Sequence, residues 1–272
     1  MDIQKNLTPL SAERIKNADK SGFSQGNIIV LDETESTNSI AKALAAEGAS
    51  HGTVVTAESQ TMGRGRLGRR FESPKGTGLY MSVIVRPSFD IAFAPLITSA
   101  AAVSAAESVE KLCGEYTAVK WVNDLYMNGR KICGILTEAA INSKGSLDYA
   151  VIGIGINVGR TEFPPELHDI ASSIEAETGN IIDRNILCGE ILGRLEYYLE
   201  NIEEKRHISE YRRREMLTGN HITANTGGRE VEGYAIGINE NANLLLKLSD
   251  GSEMVLASGE ANLCRIRRKM DE

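Results

Sequence analysis

Met62-Gly63-Arg64-Gly65-Arg66-Leu67-Gly68-Arg69-Arg70 sets three glycines among four arginines and offers almost nothing that could enter a core. Glycine admits positive φ and close approach of the backbone to a ligand. It also raises the entropy lost on ordering, so the loop is expected to be mobile until something holds it. Arginine adds fixed charge and a planar fork of donors matched to phosphate and carboxylate. By itself the stretch fits a lid over an anion, an RNA-binding Gly-Arg segment or a plain linker. Its flanks favour the lid. Thr53 to Glu58 (TVVTAE) and Leu79 to Val85 (LYMSVIV) are β-branched or apolar runs bounded by turn residues, and both read as strands. A loop strung between two strands belongs to a folded domain.

A chain of 272 residues holds one large domain, or one large and one small. The net charge of −7 disfavours a general nucleic-acid binder. The four cysteines form no CxxC pair, so neither a zinc motif nor a dithiol motif is present. Cys113, Cys133 and Cys188 sit in apolar contexts and read as buried thiols. MDIQKNLTPLSAERIK has no apolar core of a signal peptide, and no window approaches a membrane span. A reducing cytoplasm fits these features.

Residues 1–26 read as a polar leader with a short helix near Ser11 to Asp19. Asn27 to Leu31 reads as a strand. Ser36-Thr37-Asn38 then precedes a helix carrying Ile40, Ala41, Leu44 and Ala45 and stopped by Gly48. Capping is the simpler reading of the three polar residues; contact of a helix start with a polar ligand is the other. Pro95 opens an Ala-rich helix from Leu96 to about Cys113, with Leu96, Ala100, Val103, Ala106 and Val109 on one face. Ala118 to Tyr126 carries Lys120 into an apolar strand beside the single tryptophan, Trp121. An unpaired buried ammonium is costly, so Lys120 either reaches solvent at the strand end or meets an anion. Asn128-Gly129 marks a hairpin, and Ile132 to Glu138 returns. Tyr149 to Ile156 is a buried-type strand ending at Asn157, while 166–178 reads as irregular. Asp183 caps a helix with Leu187, Ile191, Leu195, Tyr198 and Ile202, and Tyr211-Arg212-Arg213-Arg214 continues helical with its arginines as a solvated face. From about Gly219 five short strands (221–224, 230–238, 244–248, 253–256, 264–267) suggest a small β-barrel.

Ser36-Thr37-Asn38, Gln60 to Arg69, Lys120 to Tyr126, Arg130 to Leu136 and Gly153 to Asn157 strongly resemble, in order and spacing, the motifs of biotin protein ligases, and the resemblance spans nearly all of 28–268. In that family the lysine motif usually carries proline where Val122 stands here.

The resemblance implies an α+β chain: a catalytic domain like that of class II aminoacyl-tRNA synthetases, with a mixed sheet and flanking helices, over 27–218, and an SH3-like C-terminal β-barrel over 219–272. It implies that the biotin carboxylate attacks the α-phosphorus of ATP, and that a lysine of a biotin carboxyl carrier protein then takes biotin from the adenylate. Lys120, Arg64 and Arg66 are the implied catalytic groups. On the biotin side stand Ser36, Thr37, Asn38, Gln60, Arg64, Gly65, Arg66, Lys120, Gly134 and Gly153. On the ATP side stand Gly63, Arg64, Arg66, Arg69, Trp121, Asn123, Gly155 and Asn157. Mg²⁺ would ride on the ATP phosphates rather than on a protein cage. Some family members carry an N-terminal helix-turn-helix domain; residues 1–26 leave no room for one, so a monofunctional ligase without DNA or membrane binding is expected, as a monomer or a homodimer. Three alternatives stay open: a lipoate–protein ligase on the same scaffold, a non-enzymatic RNA-binding protein, and a ligand-sensing scaffold without turnover.

Overall fold

The computed structural model describes residues 7–264. Helix α1 (Ala12–Ala18) is capped by Ser11, whose hydroxyl accepts the Arg14 N–H. The leader is less polar in space than in sequence, because Leu7, Leu10, Ile15 and Phe23 all enter the main core. It is pinned there by Arg184, whose buried guanidinium donates to Glu58 at 2.8 Å, to Gly78 O at 2.9 Å and to Thr8 O at 2.9 Å. The other Glu58 oxygen accepts Leu10 N–H at 2.7 Å, so this buried charge is paired and both of its terminal nitrogens are used, while Nε is left without a partner.

Strands β1 (Ile28–Thr34), β2 (Val54–Gln60), β3 (Gly78–Val85), β4 (Ala118–Lys120), β5 (Asp124–Met127), β6 (Arg130–Ile141) and β7 (Leu147–Asn157) form one mixed sheet in the order β1-β2-β3-β7-β6-β5-β4. Only β1 and β2 run parallel; the other pairings are antiparallel. The run LYMSVIV is buried along its whole length because helices cover both faces of β3. On one face α2 (Thr37–Ala46) sets Ala41 and Ala45 against Val55, Ile84 and Val151. On the other lie α3 (Leu96–Cys113) and α5 (Arg184–Glu200).

Several sequence expectations are corrected here. Helix α3 buries more than one face, Ser99, Ser104 and Ser108 included, because it lies between the sheet and helices α5 and α6 (Ile208–Arg214). Its serine hydroxyls bond back to carbonyls of the helix itself. The 166–178 stretch is not wholly irregular: a 3₁₀ turn spans Pro165–Leu167, and Ser173 caps α4 (Ile174–Thr178). The arginines of α6 are a solvated face only in part: Arg212 and Arg213 are exposed, as expected, and Arg214 is not. Arg214 is 2 % exposed and holds Glu110 through both ends of its fork, at 2.7 and 2.6 Å, while Arg212 donates to Ile238 O at 2.7 Å. Charge alone did not reveal that this helix runs between α3 and the second sheet.

The second sheet comprises β8 (His221–Thr226), β9 (Arg229–Ile238), β10 (Leu244–Lys247), β11 (Glu253–Leu256) and β12 (Glu260–Leu263), all antiparallel, in the order β11-β10-β9-β8-β12. It has the five strands expected of an SH3-like unit, with no ladder closing it into a barrel among the described residues. The last strand falls at 260–263 rather than 264–267; Cys264 follows it, and 265–267 lie outside the described residues. Its inner residues Ile222, Ala224, Ala235, Leu244, Leu246 and Ala261 join the main core. Cys113, Cys133 and Cys188 are buried free thiols, as expected. Among the described residues no helix is long and apolar enough to cross a membrane.

Candidate active site

Three neighbouring strands make the floor. Their register places Ser82, Gly153 and Leu136 in one row across β3, β7 and β6, and Tyr80, Gly155 and Gly134 in the next. Glycines at the centre leave room for side chains to lie flat on the sheet. The Asn38 amide occupies the first row: a Cβ on Gly153 would stand 2.1 Å from Asn38 Oδ1. The Phe71 ring occupies the second, where a Cβ on Gly155 would stand 2.6 Å from it.

Around Asn38 lies a small cavity of about 30 Å³, with Ser36, Thr37, Asn38, Gln60 and Arg64 on its polar side and Phe71, Tyr80, Met81, Leu136 and Ile154 on its apolar side, over Gly134, Gly153 and Gly155. Its polar groups are tied to one another. Ser82 Oγ donates to Asn38 Oδ1 at 2.6 Å, and Asn38 Nδ2 donates to Leu136 O at 3.3 Å and to Glu138 Oε2 at 3.2 Å. Thr37 N–H and Oγ1 both donate to Gln60 Oε1, at 2.9 and 3.1 Å, and Gln60 Nε2 donates to Ser73 Oγ at 2.9 Å. Ser36 stands at the N-cap of α2, yet its hydroxyl makes no capping bond. The simpler reading of that serine therefore fails: the residue is buried and faces the cavity instead.

A larger cavity of about 500 Å³ adjoins it, sharing Arg64, Phe71, Gly134 and Leu136. Cations line one part of it: Arg64, Arg66, Arg69, Arg70, Lys120 and Lys131. Phe163, Leu167, Ile170 and Ala171 form an apolar wall, and Asn157 lies beside it, its Nδ2 bonded to Ser172 O at 3.0 Å. Glu260, Ala261 and Asn262 from β12 complete the lining.

The Gly-Arg loop closes over both cavities as a small hairpin. Arg64 and Arg70 bridge antiparallel, Phe71 N–H donates to Gly63 O at 3.0 Å and Gly65 N–H to Arg69 O at 2.7 Å. Of its glycines only Gly68 takes positive φ, at +74°, and the non-glycine Leu67 takes it too, at +55°. Gly63 serves close approach instead, since a Cβ there would lie 2.3 Å from Phe71 O. Three arginines reach three different parts of the chain: β6, the turn between β4 and β5, and β12. Arg64 lies 3.5 Å from Glu138 on β6, Arg66 donates to Asn123 Oδ1 at 3.2 Å, and Arg69 forks onto Glu260 at 2.7 and 2.6 Å. Asn123 is itself held by donating to Ile135 O at 2.7 Å.

Of the two readings of Lys120, the structure shows the strand-end position, with a neutral amide oxygen rather than an anion as its partner. Lys120 Nζ donates to Asn262 Oδ1 at 2.6 Å and lies 5.9 Å from the Tyr126 ring centre. Burial lowers its pKa below the ordinary lysine value, against the pull of Asp124 and Glu260. Burial likewise lowers that of Arg66, against Asp124 and Glu260. Trp121 lines the large cavity while its indole N–H is committed to Ala242 O at 3.0 Å. The Trp121–Val122 peptide is cis. Each residue named from sequence thus borders a cavity or braces one that does. Sequence reasoning missed Ser82 and Glu138, whose facing depends on strand register. It also missed the apolar wall, the Lys131–Asp124 pair at 2.8 Å, and the β12 contributions. Lys131 and Asp124 stood inside quoted motifs; β12 carried no local signal.

A mixed sheet with a glycine floor, a polar corner, a cation-lined cavity and an arginine lid defines a protein built to take an anionic ligand. Residues 30–157 match the model of the Biotin/lipoate A/B protein ligase family, and 218–263 match that of the Biotin protein ligase C terminal domain. The chain is 34% identical over 257 residues to the Bifunctional ligase/repressor BirA of Bacillus subtilis, covering 92% of this chain and 78% of that protein. It is 31% identical to the Biotin--[acetyl-CoA-carboxylase] ligase of Mycobacterium tuberculosis, covering 88% of this chain and 89% of that one. A biotin protein ligase from Aquifex aeolicus, solved in complex with biotin and ATP, superposes with TM-score 0.74 at 30% identity, covering 88% and 99% of the two chains. The chain belongs to the biotin protein ligase family.

Proposed function

We propose that this chain activates biotin with ATP as biotinyl-5′-adenylate, releasing pyrophosphate, and passes the biotinyl group to a lysine of a biotin carboxyl carrier protein, such as that of acetyl-CoA carboxylase, releasing AMP. The observation that carries the reading is the junction of the two cavities, where a small amide-rich corner opens into a cation-lined chamber beneath one arginine lid.

The polar corner suits the ureido ring of biotin: Ser36, Thr37 and Asn38 offer hydroxyls and an amide held in fixed orientation. Lipoate would bring an apolar dithiolane to the same groups and leave them unmatched, so biotin is favoured over lipoate. In the larger cavity, Lys120, Arg64 and Arg66 neutralise charge at the carboxylate and α-phosphate as the P–O bond forms. Arg69 and the loop amides face the leaving phosphates, and Phe163, Leu167 and Ile170 pack against the adenine beside Asn157. Closing the lid also keeps water from a mixed anhydride. Mg²⁺ belongs with ATP as part of the substrate.

We take 27–218 as the catalytic domain, 219–272 as a C-terminal domain that supplies one wall of the cavity, and the net charge of −7 as unsuited to DNA. A gel shift showing tight, salt-resistant binding of biotin-operator DNA would overturn the last point. The decisive experiment is transfer of labelled biotin to a carrier domain with ATP and magnesium, alongside ATP–pyrophosphate exchange driven by biotin or by lipoate. Exchange with lipoate alone, or ligand binding with no exchange, defeats the proposal.

A further inference from the structure

Glu138 touches both halves of the site without lining either cavity. It stands on β6, paired in register with Val151, on the face that looks toward α2. Its Oε1 accepts Lys42 Nζ at 2.8 Å. Its Oε2 accepts Asn38 Nδ2 at 3.2 Å and lies 3.5 Å from the Arg64 guanidinium. One oxygen therefore meets the amide at the centre of the polar corner and the first arginine of the lid. Arg64 is the lid residue that borders both cavities.

Resting on the function proposed above, we infer that Glu138 is a positioning residue that couples the biotin-ring corner to the lid. It holds Asn38 in its binding orientation and Arg64 down over the junction with the same carboxylate oxygen. Three features support this. Asn38 has no freedom to find another pose: Ser82 fixes its oxygen and Gly153 leaves no space behind it. Its nitrogen therefore points at Leu136 O and Glu138 and nowhere else. Burial raises the Glu138 carboxyl, but the bonds from Lys42 and Asn38 outweigh it and leave the group below its ordinary value, so it stays charged beside the arginine. Lys42 binds the opposite oxygen, which leaves Oε2 for the two site residues. The Arg64 contact is long and half-exposed, and such a pair is worth a modest factor. That suits a lid that must open for each turnover.

The test is Glu138→Gln in the full chain, assayed for biotin-driven ATP–pyrophosphate exchange and for the rate at which the adenylate escapes. The glutamine can still accept from Asn38 but no longer attracts Arg64. The expected result is a KM for biotin and an escape rate each raised about three- to fivefold, with the KM for ATP within about twofold of wild type. Arg64→Gln should raise the same two quantities, and the double variant should fall well short of the product of the single effects. Lys42→Ala, which leaves both Oε2 contacts in place, should change neither by more than about twofold. A biotin KM and escape rate unchanged in Glu138→Gln, or single effects that multiply fully, would overturn the inference. Should Glu138→Gln fail to fold, Glu138→Asp keeps the charge and withdraws the oxygen; an unchanged biotin KM there is equally fatal. Absent biotin-driven exchange in the wild type would instead refute the function, so the two failures are distinguishable.

Discussion

Lys120 and Arg66 show how single side chains are made useful by where burial puts them. Lys120 is half-buried at the end of β4, with Asp124 and Glu260 favouring its charge and Lys131 and Arg69 opposing it. Desolvation strengthens its interaction with any anion in the cavity. Lys120→Ala should cut biotin-driven exchange by roughly 100-fold or more, while the far-UV spectrum and melting transition persist. Near-normal exchange would remove Lys120 from the chemistry. Because its pKa lies below the ordinary lysine value, its charge, and with it the exchange rate, should fall on the alkaline side at a lower pH than a free lysine would dictate. Arg66 reaches Asn123 from the lid. Arg66→Gly should therefore let the adenylate escape by about tenfold or more, as loss of a charge-assisted contact predicts, read as biotinyl-AMP released to solution in the absence of carrier.

At the scale of elements, the glycine floor of β6 and β7 is as specific as the side chains above it. A methyl group on Gly153 cannot coexist with Asn38 in its observed pose, since only 2.1 Å separates them and both lie against sheet backbone. Gly153→Ala should raise the biotin KM by roughly tenfold or more through displacement of Asn38, with a smaller effect on ATP. An unchanged biotin KM would mean that Asn38 does not contact the ring. The fold of these elements was largely legible in sequence: the strands around the lid, the Asn128-Gly129 hairpin and helices α2, α3 and α5 stand where periodicity and caps put them. What escaped were short or crowded pieces. α4 spans five residues, too few for a period, and α6 hides a buried arginine in a run that reads as surface. β12 was displaced by a few residues because nothing in GEANLCR marks which end pairs with β8.

The whole molecule is held as one packed unit. The inner face of the second sheet continues the main core, Glu260 grips the lid and Asn262 holds Lys120. His207 ties three helices on the opposite side: its Nε2 lies 2.9 Å from Ser99 Oγ on α3, its ring packs edge-on to Tyr198 of α5, and it stands at the start of α6. Burial lowers its pKa to about 4. The unfolded chain takes up that proton near the ordinary histidine value and the folded chain only near 4. Stability is therefore full above about pH 6.5 and is lost as pH falls between 6.5 and 4. The loss from this one group is on the order of 3 kcal/mol. Chemical denaturation at pH 7 and pH 4 should show it, and His207→Gln should flatten that part of the profile. An identical pH dependence in the variant would assign the loss to other groups.

The sequence by itself determined the chemistry: which residues are fixed cations, where the backbone must come close, where an amide and two hydroxyls begin a helix, and the ordered motifs that mark the family. Those are properties of residue type and short spacing, and they survive without a fold. Tertiary structure alone decided which strand positions face the corner, so that Ser82 and Glu138 join Asn38. It also decided that the Ser36 hydroxyl borders the small cavity instead of capping its helix, and that β12, more than a hundred residues after Lys120, closes the wall beside it. Register and long-range packing settle these matters, because a one-residue slip in pairing turns every side chain to the opposite face and no local pattern records the choice.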